Sequence, residues 1–295
     1  MVINSMTQPF KIVIPDFIND DLAPEHQVFG DRGTIVAYDA HHESQLVDQI
    51  EDADAIMLYH NLSLTAKTIN KLQQCKLIVR CGVGYDNVDH LLAASRGIPV
   101  ANVPDYGTEE VADSAIAMAL TLARGVHQIN SALRSKIGPY SYTQGAPLQR
   151  LRGKVFGIVG LGRIGTAAAL RAKAFGMQVV FYDPLRPDGY DKAMGCTRVD
   201  TLQELLAQAH ILSLHCPLTD RTRHMINEQT LSQMCPGSFL VNTARGDVVD
   251  TKALPNALAS GQLAGAGIDV LAQEPPTDDN PLVVDSIVIK QQFTP

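Results

Sequence analysis

At 295 residues and 45% hydrophobic content, the chain is long enough to bury two apolar cores, which excludes a single small module. A formal charge of -7 with scattered Lys and Arg supplies no basic face for neutralising a phosphate backbone, so direct nucleic-acid binding is excluded and a small-molecule partner is expected. Five cysteines without CxxC spacing argue against a zinc site or disulfide framework, and no apolar run reaches the roughly 18 residues of a membrane span, so a cytoplasmic protein without a metal is expected.

In chain order, short β-rich runs alternate with helix-compatible stretches: KIVIP from Lys11, TIVAYD from Thr34, DAIMLYH from Asp54, KLIVRCGVG from Lys76 and IPVANVP from Ile98. This alternation predicts a parallel sheet with crossover helices. Helical spacing of Val111, Ala115, Met118, Ala119, Leu122 and Val126 then predicts one long helix over 108–134, with Thr108 as N-cap before Glu109 and Glu110. The stretch 138–149, GPYSYTQGAPLQ, breaks the periodicity and reads as a loop. Beyond it the alternation restarts with KVFGIVG, MQVVFYD, HILSLHC, GSFLVNT and LAGAGIDV, the strand supply of a second, doubly wound sheet.

The strand KVFGIV runs into Gly160-Leu161-Gly162-Arg163-Ile164-Gly165 and then an Ala-rich helix. A GxGxxG between strand and helix is a dinucleotide fingerprint: Gly160 for the tight turn, Gly162 for backbone approach to the pyrophosphate, Gly165 for close helix packing. The helix N-terminus adds free N–H groups and positive dipole. Asp183 follows 18 residues after Gly165, where a carboxylate binds ribose hydroxyls and repels a 2'-phosphate, which favours NAD over NADP. Arg186 is the one residue that speaks for NADP, although an arginine between Pro184 and Pro187 reads more simply as solvated.

The runs VRCGVGYDNVD (79–89), NVPDYGTEEVAD (102–113), GLGRIG, FYDP, LHCPLT (214–219), VNTARGDVVD (241–250) and GIDVLAQEP (267–275) together resemble the D-isomer-specific 2-hydroxyacid dehydrogenases, most closely the branch with C-terminal-binding-protein-like members. The resemblance implies a Rossmann-type coenzyme domain over 103–282. It also implies a flavodoxin-like α/β substrate domain over 1–102, joined by 283–295 as the remnant of its C-terminal return, with hinges near Asn102 and Leu282 and a cleft between the domains. It implies reversible reduction of a small 2-oxo acid to its D-2-hydroxy acid with NAD, of the glyoxylate, hydroxypyruvate or phosphoglycerate dehydrogenase kind, and a homodimer built on the long helix from Thr108.

By resemblance, backbone N–H groups of Val83 and Gly84 hold the substrate carboxylate, Arg245 holds that carboxylate and polarises the C2 carbonyl, and Glu274 supports a catalytic histidine. Asp269 faces the nicotinamide carboxamide, Thr243 and Ala244 lie beside the nicotinamide, and the loop Cys216-Pro217 to Thr222 runs along the cofactor. Each also has a plainer reading taken alone: a strand-to-helix turn at 83–84, solvated charges at Arg245 and Glu274, a loop cap at Asp269, a buried thiol at Cys216. The family's histidine directly follows a Thr-Pro such as Thr294-Pro295, so the 295 residues are expected to lack it and the helix after it. His215 and His60 are weak substitutes for it. The absent histidine motivates an alternative expectation, a catalytically silent protein that binds NAD(H) and reports cofactor state to a partner.

Overall fold

The computed structural model describes residues 9–16, 18, 21–138, 141, 143, 148–274, 276, 280, 282 and 288–290. The chain divides into two units, Met1–Tyr106 and Gly107–Pro295. That division falls four residues beyond the boundary expected at Asn102.

The first unit is a parallel sheet of five strands: β1 (Phe10–Asp16), β2 (Gly33–Ala40), β3 (Ala55–Leu58), β4 (Leu77–Arg80) and β5 (Val100–Asn102), in the order β2-β1-β3-β4-β5. This is the flavodoxin order, with the chain reversing direction between β1 and β3. The central strands read as unbroken apolar runs because helices cover both faces, and Val13, Ile56, Leu58 and Ile78 are fully buried. At the carboxyl end of β1 the fully buried Asp16 accepts hydrogen bonds from the main-chain N–H groups of Tyr59, Asn61 and Leu62 at 3.0, 2.9 and 3.0 Å, tying the loop after β3 to the end of β1.

The second unit is a parallel sheet of seven strands, β6 (Val155–Val159), β7 (Gln178–Tyr182), β8 (Thr197–Arg198), β9 (Ile211–Leu214), β10 (Ser238–Asn242), β11 (Leu263–Ile268) and β12 (Val288–Lys290), ordered β12-β11-β10-β9-β6-β7-β8. The chain starts at the sheet centre in β6, winds outward to β8, returns past β6 to β9 and winds the other way. β6 and β9 therefore flank the switch point of a Rossmann sheet. One face buries Phe156, Ile158, Phe181, Phe239 and Val241 under the helix Thr108–Arg124. The other buries Leu205, Leu212, Leu240, Val248 and Leu254.

All ten apolar runs form strands. Three expectations differ. The single helix over 108–134 is two helices, Thr108–Arg124 and Val126–Arg134, separated by Gly125 at φ 61. A left-handed residue turns the axis, so Val126, counted on the buried stripe, is 57% exposed, and the second helix buries no residue. The N-cap is Gly107 and not Thr108, without a side-chain hydrogen bond at that end. Val288–Lys290 pair with Ala266–Ile268 of β11, so this part of 283–295 adds a strand to the coenzyme sheet instead of returning to the first domain. The rest of that segment, including Thr294-Pro295, and most of the loop 138–149 lie outside the described residues. Among the described residues no helix is long and apolar enough to cross a membrane.

Gly125→Ala forces a Cβ into the left-handed region, so an unfolding titration is expected to show a loss of about 1 to 2 kcal/mol. A gain in stability would mean that the two helices straighten into one.

Candidate active site

Strand register builds the site in the second unit. Val159 of β6 pairs with Tyr182 of β7 and with Leu214 of β9, Leu214 with Asn242 of β10, and Asn242 with Ile268 of β11. The next residue of each strand therefore falls in one row across the carboxyl edge: Asp183, Gly160, His215, Thr243 and Asp269. With strands about 4.8 Å apart the row spans about 19 Å, a shape suited to an extended dinucleotide.

At the row's centre, Gly160 has φ 88, and a Cβ there would lie 2.9 Å from the backbone nitrogen of Cys216 and 3.0 Å from its Cα. A Cβ on Gly165 would overlap the Gly160 carbonyl oxygen, so the helix Arg163–Ala174 starts hard against the turn. At Gly162 the side-chain position is open, with Nη2 of Arg186 3.6 Å away as its only near neighbour among the described residues. The helix has no side-chain cap at Gly162. Its first N–H groups, on and around Arg163, Ile164 and Gly165, and its dipole are thus available to a diphosphate.

Asp183 stands at this turn, 8% exposed. Its Oδ2 accepts the Leu161 N–H at 2.8 Å and its Oδ1 the Leu185 N–H at 2.9 Å. Arg186 is not the solvated charge expected: its side chain is 33% exposed, its Nε sits 3.4 Å from Asp183 Oδ2 and its guanidinium lies 5.2 Å over the Tyr190 ring.

At the other end of the row polar atoms are left without partners. Thr243 Oγ1, Asp269 Oδ1 and His215 Nδ1 are buried and make no hydrogen bond. Such atoms are costly unless a ligand completes them. Three of them on neighbouring strand ends fit the amide and sugar groups of a nicotinamide nucleoside. Asp269 is pushed up to about 6, by burial first and by the charge of Glu274 second. His215 donates or accepts through Nε2 at 2.9 Å from Ser213 Oγ, and burial lowers it to about 4, so it is neutral at neutral pH.

The remaining sequence candidates sit in the loops that follow these strands. Cys216 is buried, with its thiol pushed up to about 11 by burial, so it packs and does not react. The Thr222 hydroxyl donates to the Pro217 carbonyl at 2.6 Å and accepts the Thr219 N–H at 2.8 Å, so it sets the loop's shape. Arg245 donates from Nη1 to the Ala244 carbonyl at 2.8 Å. Glu274 is exposed, and its Oε1 accepts the Leu271 N–H at 2.7 Å within its own loop.

Sequence reading missed Asn242, which is fully buried, accepts the Ala244 N–H at 3.0 Å and donates to the Arg245 carbonyl at 2.8 Å, shaping the turn that presents Arg245. It also missed Gly246, where a Cβ would overlap the backbone of Leu271 and Ala272; this contact lays the Asp269–Glu274 loop on the Arg245 loop. Both residues sit inside VNTARGD, but their role shows only once two distant loops meet.

In the first unit Val83 and Gly84 lie partly exposed in the loop after β4. Asn102 Nδ2 donates to the Val83 carbonyl at 2.7 Å and the Val103 N–H to the Gly82 carbonyl at 3.1 Å. Asn87 Nδ2 bridges the carbonyls of Tyr59 and Leu62 at 3.0 and 2.8 Å. The carbonyl of Val83 is thereby occupied within the loop. His60, exposed after β3, has no such setting. Among the described residues no cluster of His, Cys, Asp or Glu is arranged to hold a metal ion.

Residues 116–291 match the NAD-binding domain of D-isomer specific 2-hydroxyacid dehydrogenases. The chain belongs to this family. Its second unit is accordingly the dehydrogenase NAD-binding domain. A glyoxylate reductase of Korarchaeum cryptofilum is 39% identical over 249 residues, 83% of this chain and 74% of that protein. A D-3-phosphoglycerate dehydrogenase of Methanocaldococcus jannaschii is 35% identical over 278 residues, 94% of this chain. This chain spans about half of that relative's length, 52%. The structure of a D-lactate dehydrogenase from Aquifex aeolicus, complexed with NAD and lactic acid, matches with a TM-score of 0.83 at 30% identity, covering 94% of this chain and 87% of that one.

A raised carboxyl makes a signed prediction. Unfolded, Asp269 ionises near pH 4; folded, it ionises at about 6. Its contribution to stability is full below about pH 4 and is lost as pH rises through about 6, because there the folded state still holds a proton the unfolded state has released. Asp269→Asn is expected to raise the melting temperature at about pH 8 and leave it unchanged at about pH 4. Equal melting temperatures for the two proteins at pH 8 would refute the burial cost.

Proposed function

We propose that this chain is an NAD-dependent oxidoreductase of the cytoplasm that interconverts a small 2-oxo acid, of the glyoxylate, hydroxypyruvate or pyruvate class, with its D-2-hydroxy acid. The observation that carries the proposal is the row Asp183, Gly160, His215, Thr243, Asp269, which runs from a ribose-binding carboxylate through a diphosphate turn to unpartnered groups suited to a carboxamide. Bound NADH supplies the hydride; the protein supplies position and charge. Similarity to glyoxylate reductase and phosphoglycerate dehydrogenase supports the substrate class.

Each assigned side chain has a defined task. The Arg245 guanidinium, on the turn braced by Asn242, pairs in fork fashion with the substrate carboxylate and draws electron density from the C2 carbonyl. In the first unit the N–H groups of Val83 and Gly84, in a loop that Asn102 holds in shape, are suited to a carboxylate. Glu274 is assigned to support the histidine that the resemblance implies, whose affinity for a proton a neighbouring carboxylate raises; His215 and His60 do not stand in for it, so the proton for the new alkoxide is taken from water. Asp269 and Thr243 orient the carboxamide and so fix the ring face presented to C2.

The proposal is tested by following NADH consumption with glyoxylate, hydroxypyruvate and pyruvate and resolving the product's stereochemistry. Turnover to a D-hydroxy acid is expected, and Arg245→Lys is expected to lower kcat/KM on the order of 10²-fold while NADH affinity stays unchanged, because a point charge replaces a planar fork. Tight NADH binding with no turnover of any 2-oxo acid would leave the silent, cofactor-reporting alternative standing instead.

The homodimer also belongs to this proposal. No residue of the helix Val126–Arg134 is fully buried, and Val126, Leu133 and, just beyond, Ile137 are 57, 48 and 67% exposed. An exposed apolar stripe of this kind supports a second copy as its cover. Light scattering is expected to give the mass of two chains for the native protein and of one for a Val126→Glu, Leu133→Glu variant; a native protein that is monomeric refutes it.

A further inference from the structure

The loop 216–225 connects the glycine turn to the turn that carries Arg245. At its start Gly160 presses on the Cys216 main chain, and its ends meet, with Cys216 Sγ 3.9 Å from Met225 Sδ. Inside it the Thr222 hydroxyl bonds the Pro217 carbonyl and the Thr219 N–H, so the loop keeps a shape of its own. Its far end is strapped to the Arg245 turn by main chain: the His224 N–H donates to the Asp247 carbonyl at 2.8 Å, the Ile226 N–H to the Val248 carbonyl at 3.2 Å and the Asp250 N–H to the Ile226 carbonyl at 2.7 Å. His224 enters this strap at φ 51, a left-handed angle that a residue with a Cβ keeps only where its surroundings impose it. One side chain reinforces the strap. The Asp247 carboxylate, two residues beyond Arg245, pairs through Oδ2 with Nη1 of Arg223 and faces His224 Nε2 at 3.9 Å through Oδ1. Asp247 is 28% and Arg223 50% exposed, so the pair adds little to stability. Its consequence is geometric. Asn242 fixes the Arg245 turn to β10 and Gly246 fixes it to the 269–274 loop, while Asp247 fixes it to the loop that begins at Cys216.

We propose that Asp247 is a positioning residue that couples the two ligands of this site: coenzyme settled on 216–222 fixes the Arg245 turn through Asp247 and so tightens binding of the 2-oxo acid. The inference rests on the functions proposed above for Arg245 and for the loop 216–222. Such coupling is reciprocal, so the 2-oxo acid tightens NADH by the same factor. Without the carboxylate the main-chain strap keeps the fold, but the loop end and the turn lose their lock, and each ligand then orders only its own part.

Calorimetric titration of the full chain with NADH, without and with saturating oxamate, an unreactive isostere of a 2-oxo acid, gives the coupling factor independently of turnover. For the native chain a factor of about ten or more is expected. Asp247→Asn and Arg223→Gln are each expected to lower it about 3- to 10-fold, and the double variant no further than either, because the two side chains act through one contact. Asp247→Glu is expected to retain most of it. In the same variants NADH affinity without oxamate is expected to change by less than about threefold and the melting temperature by less than about 3 °C, which a merely structural role does not predict. Should Asp247→Asn fail to fold, Arg223→Gln carries the test. An unchanged factor in the folded single variants, losses that add in the double variant, or oxamate that binds the native NADH complex without changing NADH affinity overturns the proposal alone. Oxamate that does not bind the NADH complex overturns the assignment of Arg245 with it, and a folded chain that does not bind NADH overturns the coenzyme site.

Discussion

The approach of the turn after β6 to the main chain leaving β9 is the constraint on which the coenzyme half depends. These are the strands where the sheet reverses its winding, so the crossover connections diverge and leave an opening above their ends. Backbone fills the near side of that opening: Gly160 presses on Cys216, and the helix that starts at Gly162 presses through Gly165 on the Gly160 carbonyl. Side chains are excluded from these contacts, and amide hydrogens line what remains. Asp183 locks the arrangement by taking the Leu161 N–H, which fixes the turn's angle against β7. One carboxylate thereby shapes the turn and, in the proposed function, also marks the ribose end.

The row of strand ends shows how stability and function oppose each other. Ser213, Asn242 and Asp183 are polar and buried, and their hydrogen bonds lie within the protein. One step along, Thr243 Oγ1 and Asp269 Oδ1 are buried with no partner, and Asp269 resists ionisation in consequence. A sequence selected only for folding would place apolar groups or water there, since each unmade buried hydrogen bond costs on the order of 1 to 3 kcal/mol. These two atoms and His215 Nδ1 stand side by side at the carboxyl ends of three neighbouring strands, which sets them apart from the scattered unpartnered atoms at Glu25, His127, Gln233 and Ser238.

How much of this was legible in the sequence follows from the range of the interactions involved. Strands buried on both faces need continuous apolar runs, so KVFGIV, ILSL and SFLVN declare themselves. The glycine turn is equally plain, because strand, glycines and helix are contiguous. The two-residue β8 carries no periodicity to read. Gly125 was legible as a glycine but not as a break, since helices tolerate single glycines and only the left-handed angle turns the axis. Arg186 reads as solvated until Asp183 and Tyr190 are seen around it, and Asn242 reads as one more polar residue until the carbonyl of Arg245 is seen beside it. Val288–Lys290 joined the wrong sheet in the sequence reading because a three-residue apolar run fits either; pairing with β11 is a tertiary choice.

The two units reach ordered loops by the same device. A loop at a strand's carboxyl end has lost its sheet partners, and its amides and carbonyls need others if it is to hold one shape. Asp16 supplies them for 59–62, Asn87 and Asn102 for the loops around 62 and 83, Asp183 for 161 and 185, Asn242 for 244 and 245. Each is a short Asp or Asn at or just beyond a strand end or in the loop itself, with few rotamers to lose and the reach to bond two main-chain groups. Where such a residue is present the loop's own hydrogen bonds are satisfied from beneath. The loop's other side chains can then be chosen for the ligand and not for the fold.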